Sequence, residues 1–275
     1  MTTSPAPLAT GARGESLGAR MRAALYRFVE PGLDLPLALL RVGLGLALVF
    51  TYAQLVLDYD LYFSRWGLVP ASEWPGLRPE LTISYFRWVS DYGAQKAIAY
   101  AGLLPACAFV LGLFPRVSAL LAWYCLISLQ DRSPILLDGG DLILRLMLFF
   151  FIFAKSDRRL SPLAPLLPRD PAGSFPIRLM QLQLATVYLC TGLEKFRGAK
   201  WQNGTALAYV LRLDSFSRAD WARLSSMPVF VNLITYGTLL WEIAFIFLVW
   251  QRKSRPWILA TGVAMHLGIE LLMYV

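Results

Sequence analysis

Charged residues inside long apolar segments are the residues of this 275-residue chain best placed to do chemistry. A charge within a bilayer is costly unless it is paired or wetted, so such residues usually face the interior of a helix bundle and mark sites of binding or proton transfer. Amine, carboxylate and imidazole groups that meet there can act as general acids and bases. The charged residues and the histidine in these segments are Arg41, Asp141, Arg145, Glu194, Lys195, Glu242, His266 and Glu270.

Lys195 has two interpretations. As an anchor, it would reach from the end of a membrane helix towards the surface; as a base, it would accept a proton inside the protein. Successive residues of a helix are about 100° apart around its axis. On this spacing a polar stripe about 80° wide contains Gln181, Tyr188, Thr191 and Lys195. An anchor needs no such stripe, and Glu194 points away from it. The spacing therefore favours Lys195 as a functional residue.

The other charged residues also have functional and structural interpretations. Asp141 and Arg145 are four residues apart, so we expect them to share a helix face as part of a site or as a structural pair. His266 and Glu270 have the same spacing and predict either a catalytic relay or a polar core pair. Glu242 is predicted to come within reach of His266, where it either takes part in the chemistry or bonds a neighbour.

Motifs for metals, phosphates and nucleophilic catalysis are absent from the sequence. A single histidine and no CxxC pair cannot supply the usual zinc spacing, and there is no phosphate-binding loop. The sequence predicts no metal, although a site made only of carboxylates stays open. The cysteines lie in apolar segments and are interpreted as packing residues; they are Cys107, Cys125 and Cys190.

Composition predicts a polytopic integral membrane protein with an all-α fold. The chain is 57% hydrophobic and 16% charged, against about a quarter charged in soluble domains. Its apolar residues fall in blocks suited to membrane helices. The net charge of +8 is spread over short segments between those blocks, which favours membrane lipids and not nucleic acid as partners. Arg41 is predicted to be structural or to bind lipid head groups.

The apolar blocks predict a bundle of about seven transmembrane helices in a membrane domain over residues 35–275. Their expected bounds are 35–57, 94–114, 117–130, 140–155, 178–197, 229–250 and 256–275. Alternate connecting segments are basic, which places the N-terminus in the cytoplasm and most of the charged residues around a cavity open to the outside. Residues 1–34 are expected to form a polar, basic, disordered tail without a cleavable signal peptide. The apolar end at Val275 would fit a fragment.

Four stretches, in this order along the chain, resemble a known family. They are YFSRWGLVP (62–70), SLQDRSPILLDGGDLILRL (128–146), GLEKFRGAKWQNGTALAYVL (192–211) and MHLGIELLM (265–273). Together they resemble the HTTM domain, the membrane domain shared with vitamin K-dependent gamma-carboxylase, from about residue 36 onward. The resemblance implies a multi-pass protein of a bacterial plasma membrane.

The resemblance also implies a chemistry for the site. In the carboxylase, a lysine in the segment matching GLEKF deprotonates reduced vitamin K at the luminal side. Oxygen then generates a strong base that abstracts a proton from a peptide glutamate, and carbon dioxide adds. By that match the base is Lys195, and an apolar site favours a neutral amine. The implied cofactor is a reduced quinone and the implied partner a secreted peptide or protein, with Trp201 and Gly204 expected to shape the mouth of the site.

Departures from the carboxylase leave the function open. This chain has no room for the large luminal domain that binds the protein substrate, and an assisting histidine there falls near Asp141 here. The first hypothesis is a carboxylase-like, lyase-type membrane enzyme. The second is a non-catalytic membrane factor for maturation, export or immunity of a secreted peptide. The third is a proton-coupled transporter using Glu242, His266 and Glu270, which the absence of an inverted repeat in the sequence disfavours.

Overall fold

A computed structural model describes residues 18, 33–70, 72–74, 82–167 and 174–274. These residues are largely α-helical, and their β pairing is limited to an isolated bridge between Ser217 and Met273. The chain divides into two compact units, Met1–Met180 and Gln181–Val275. The predicted tail over residues 1–34 lies almost wholly outside the described residues, as does the last residue of the chain.

The first unit is a set of packed helices joined by short turns. The helices are α1 (Asp34–Leu57), α2 (Tyr59–Phe63), α3 (Tyr92–Ala101), α4 (Leu103–Leu111), α5 (Pro115–Arg132) and α6 (Gly139–Phe151). Short 3₁₀ turns lie at Tyr85–Arg87, Pro134–Leu136 and Ala164–Leu166. α3 and α4 are two parts of one predicted span. Pro105 lacks the N–H that would bond the carbonyl of Ala101, which explains the break at Gly102.

α1 packs one face against the other helices of the first unit and leaves its opposite face exposed. Its buried positions recur every three or four residues, as one face of a helix requires. They are Leu37, Ala38, Arg41, Gly45, Leu48, Tyr52 and Val56. Large apolar side chains on the remaining surface are exposed, including Phe50 and Leu57. An exposed apolar face on an apolar helix is suited to contact with lipid.

Arg41 fastens the segment that follows α6 to α1. Its side chain is fully buried. Nη1 donates hydrogen bonds to the carbonyls of Ser156 and Arg159, and Nη2 donates to the carbonyl of Leu160. These carbonyls belong to an irregular segment that has no helix of its own to satisfy them. The contacts support the structural interpretation of Arg41.

The second unit begins within a long helix. α7 (Phe175–Arg197) carries the chain from the first unit into the second. The helices that follow are α8 (Ala199–Gln202), α9 (Ala206–Val210), α10 (Ala222–Ser225), α11 (Pro228–Leu248) and α12 (Arg255–Leu272). Ala185, Phe245 and Ile258 form a small buried cluster, which joins α7, α11 and α12.

The predicted spans correspond to helices, and part of the membrane prediction is confirmed. All seven predicted segments are helical, with bounds that differ from the prediction by a few residues. Within the described residues, three helical stretches are long and apolar enough to cross a membrane: Asp34–Leu57, Tyr92–Leu111 and Pro228–Leu248. α5, α6, α7 and α12 are shorter or carry more polar and charged residues, so composition alone does not assign them as spans.

Candidate functional site

Lys195 and Glu242 form an ion pair between α7 and α11. Lys195 Nζ lies 2.5 Å from Glu242 Oε1, and the two side chains are 26% and 6% exposed. The ammonium group also lies 5.4 Å from the centre of the Trp201 ring, at a distance typical of a cation–π contact. An amine and a carboxylate in contact are a donor and an acceptor of the kind that general acid–base chemistry uses. The pair is therefore a candidate acid–base site.

Gly192 allows α7 to approach α11 closely beside this pair. The glycine is buried, and a Cβ built on it would lie 3.4 Å from Glu242 Cβ. Small residues at such positions let helix backbones come together in membrane proteins. Glu242 Oε2 is buried and has no hydrogen-bond partner among the described residues. One carboxylate oxygen therefore holds the lysine while the other keeps an acceptor position open.

The ion pair joins the C-terminal end of α7 to a position well inside α11. Lys195 is close to the C-terminus of α7, as predicted, but Glu242 is about 21 Å along α11 from Pro228 at 1.5 Å per residue. The chain after α7 folds back over this first part of α11. Tyr236 Oη donates to the carbonyl of Gln202 at 2.9 Å, and the Leu207 N–H donates to Thr235 Oγ1 at 3.2 Å.

A second polar contact lies two turns before Lys195 on α7. Tyr188 Oη is 2.8 Å from His266 Nε2, which connects α7 to α12. The Tyr188 ring packs edge-on against Trp241, with ring centres 4.9 Å apart. An apolar cleft of about 340 Å³ adjoins this contact. Its lining includes Leu184, Tyr188, Trp241, Phe245, Gly262 and His266.

Gly262 makes room for the aromatic wall of this cleft. A Cβ at position 262 would lie 2.4 Å from the Trp241 ring, so a larger residue would displace that ring. Trp241 Nε1 donates to Thr261 Oγ1 at 2.9 Å, which holds the indole against α12. The sequence prediction missed Trp241 because a tryptophan in an apolar helix carries no signal of its own. Its place beside Glu242 in the chain is the one clue that the sequence offers.

The predicted pair of His266 and Glu270 is not formed. Glu270 instead makes an ion pair with Arg218, which also donates from Nε to the carbonyl of Met273 at 2.7 Å. The predicted contact of Glu242 with His266 is likewise replaced, because each of these residues meets a partner on α7. Four-residue spacing fixes a shared helix face, but partners on other elements decide the contacts.

The predicted pair of Asp141 and Arg145 is also rearranged, within the first unit. Arg145 Nη2 lies 2.7 Å from Asp131 Oδ1 at the end of α5. Asp141 instead completes a capping box with Asp138, the N-cap residue of α6: the Asp141 N–H donates to Asp138 Oδ1 at 2.8 Å, and the Asp141 carboxylate accepts from the Asp138 N–H at 3.3 Å. A carboxylate in a first helical turn meets free N–H groups, which explains the choice. Asp131 was missed, although a short link between helices brings their facing ends together.

Trp201 and Gly204 belong to the segment that covers the start of α11. Gly204 has φ 74°, and a Cβ there would lie 2.4 Å from Asn232 Oδ1. Lys200, in the same segment, contacts Tyr209. Its Nζ donates to Tyr209 Oη, and this hydrogen bond lowers the pKa of the Tyr209 phenol. Lys200 is therefore a nearby lysine whose side chain has a different partner from that of Lys195, which suits it as a control.

Replacing Gly204 with alanine should destabilise the protein by about 2 kcal/mol, because the new Cβ would meet α11 and the left-handed backbone would be strained. Gly237→Ala is the matched control: position 237 is helical and has no atom within 4 Å of a built Cβ. Thermal unfolding in detergent measures both. Equal melting temperatures for the two variants would contradict the proposed packing of this segment.

Comparison with known proteins decides the family. The model of the HTTM domain matches residues 36–274. The chain belongs to the HTTM-domain family. This HTTM-domain protein is also similar to the uncharacterized protein YitO of Bacillus subtilis (strain 168), with 27% identity over 198 residues. That match covers 68% of this chain and 60% of YitO. No solved structure matches the chain significantly.

Membership of this family confirms the resemblance to the HTTM domain, and the matched region contains every residue of the ion pair and the cleft. Together with the apolar helices, it supports a membrane protein.

Proposed function

We propose that this HTTM-domain protein is an integral membrane enzyme with an acid–base site formed by Lys195 and Glu242. The observation that carries the proposal is their 2.5 Å contact, with Glu242 only 6% exposed. Proton transfer needs a donor and an acceptor in direct contact, and the amine and the carboxylate meet that requirement here. Transfer of the proton to Glu242 leaves a neutral amine, the form of Lys195 that can act as a base.

The substrate class we propose is a reduced quinone, the class implied by the likeness to the membrane domain of gamma-carboxylase. The cleft beside Tyr188 and His266 has apolar and aromatic walls with a polar contact at one side, which suits a flat, lipid-soluble molecule with hydroxyl groups. Tyr188 lies seven residues before Lys195, or about 10 Å along α7. A quinol that extends from the cleft along this helix would present a hydroxyl proton to Lys195.

The other predicted residues take supporting places in this proposal. His266 orients Tyr188 through their hydrogen bond. Glu270 fastens the segment around Arg218 to the end of α12. In the proposed topology, seven helices cross a bacterial plasma membrane with the N-terminus in the cytoplasm. Only the proton abstraction from the quinol is proposed; addition of carbon dioxide to a secreted peptide would need a peptide site beyond these residues.

A non-catalytic membrane factor is the second candidate. Lys195 already has its counterion, so the pair could serve only to brace α7 against α11. The proton-coupled transporter is less well supported. Its three predicted residues have separate partners, namely Lys195 for Glu242, Tyr188 for His266 and Arg218 for Glu270. No continuous proton path among them follows from these contacts.

The enzyme proposal predicts loss of quinol consumption when Lys195 is changed. The protein in lipid nanodiscs is given a reduced naphthoquinone and oxygen, and loss of the quinol is followed optically. Lys195→Ala and Lys195→Arg should lower the rate about 100-fold or more, the usual effect of removing a general base. Lys200→Ala, which changes a nearby lysine outside the pair, should keep the rate. Full activity of both Lys195 variants, inserted normally, would rule out the catalytic role.

A further inference from the structure

Arg132 in the first unit is a buried cation with no counterion among the residues that the structure describes. It is the last residue of α5, and its side chain is 2% exposed. Neither Nη1 nor Nη2 has a hydrogen-bond partner among the described residues. Guanidinium groups are charged at every physiological pH, so burial cannot be relieved by loss of a proton. A buried polar group without a partner in a native protein is often satisfied by a bound ion or ligand.

The neighbouring groups do not neutralise this charge. The carboxylate of Asp131 is engaged by Arg145, at 2.7 Å. The Asp131 carbonyl accepts a hydrogen bond from Trp74 Nε1 at 2.9 Å. The C-terminus of α5 contributes a partial negative charge, which offsets only part of a full positive one. The surroundings therefore favour an additional anion.

Hydroxyl groups in the neighbourhood of Arg132 supply further donors: Tyr59 lies near its side chain, Tyr85 lies next to Tyr59, and Ser133 follows Arg132 in the chain. Tyr59 lies close enough to Arg132 for each to influence the charge of the other, and the hydroxyls of Tyr59 and Tyr85 lie next to each other. If one hydroxyl donates to the other, the second still has a free O–H. Ser133 Oγ is buried and lacks a partner among the described residues. A guanidinium combined with O–H donors matches an acceptor that carries negative charge.

Two neighbouring aromatic rings flank the Arg132 guanidinium. The Arg132 Cζ atom lies 5.9 Å from the ring centres of both Trp74 and Phe86, and these two rings are 6.2 Å apart. The planar fork of a guanidinium binds the two oxygens of a carboxylate with parallel hydrogen bonds. We propose that Arg132 anchors a buried site for a small carboxylate anion, with hydroxyls of Tyr59, Tyr85 and Ser133 as additional donors. This site is independent of the function proposed for Lys195.

Thermal unfolding in nanodiscs tests this site with formate as the probe. The melting temperature is measured at constant ionic strength as formate replaces chloride, with sulfate as a tetrahedral comparison. Formate should raise it by about 5 °C at a hundredfold excess over the dissociation constant, while sulfate leaves it unchanged. Arg132→Met should abolish the rise. Arg65→Met, which changes an exposed arginine stacked on Trp66, should retain it.

Direct binding gives the second measurement. Saturation transfer from the protein to formate should be seen by NMR with the native chain and with Arg65→Met, and should be lost in Arg132→Met. If Arg132→Met does not fold, Arg132→Lys keeps the charge but loses the fork, and should bind formate at least about tenfold more weakly. The same response to formate and chloride in the native chain, or equal formate binding by Arg132→Lys, would overturn the proposal.

Discussion

Glu242→Leu should destabilise the protein by about 3 kcal/mol, and adding Lys195→Met should restore most of that loss. The single change leaves the Lys195 ammonium in apolar surroundings without its counterion, whereas the double change replaces the pair by apolar side chains of similar size. The expected cost is at the lower end for buried pairs because the Lys195 side chain keeps 26% exposure. Unfolding in mixed micelles gives the free energy of each variant.

Glu194→Leu is the control for this cycle, because Glu194 is an exposed acidic residue adjacent to Lys195 in the same helix. It should change the free energy of unfolding by no more than about 0.5 kcal/mol. If the double variant is no more stable than Glu242→Leu alone, the two side chains do not interact as the structure indicates.

Arg41→Met should lower the free energy of unfolding by about 3 kcal/mol. The change removes the donors that satisfy the carbonyls of Ser156, Arg159 and Leu160, and it leaves those carbonyls to find water at a buried position. Arg41→Lys should recover only part of the loss, since one ammonium cannot reproduce the spread of a guanidinium fork. Thermal unfolding and limited proteolysis of residues 155–161 measure the effect.

Arg116→Met provides the comparison for Arg41, because Arg116 is an exposed arginine at the start of α5. It should leave both the melting temperature and the proteolysis rate close to those of the native chain. Unchanged proteolysis of residues 155–161 in Arg41→Met would show that this segment is held by other contacts.

The helices could be predicted from the sequence because apolar blocks bounded by charged segments have a direct physical meaning in a membrane protein. Each predicted block is helical, and apart from the break between α3 and α4 the error lies at the ends. Pro105 causes the break between α3 and α4. The prediction treated residues 94–114 as one span because its apolar residues run on without interruption.

The contacts of the candidate site could be predicted only in part. Two residues of the predicted polar stripe on α7, Tyr188 and Lys195, contact polar side chains of other helices. Their partners depend on how far α7 lies along α11, and that offset is set by the chain between them, which folds into short helices. Hydropathy carries no information about this offset. For the same reason the sequence could not foresee that Arg218, in a connecting segment, takes Glu270 from His266.

The catalytic role of the ion pair is tested most directly by quinol consumption in the double variant Lys195→Met/Glu242→Leu. This variant replaces both charges without leaving either one unpaired, so its stability should stay close to that of the native protein. If the pair performs proton transfer, the rate at which the folded double variant consumes the reduced naphthoquinone should fall by a factor of about 100 or more. If the pair is only a brace between α7 and α11, the folded double variant will consume it at the native rate, and that result would contradict the proposed function.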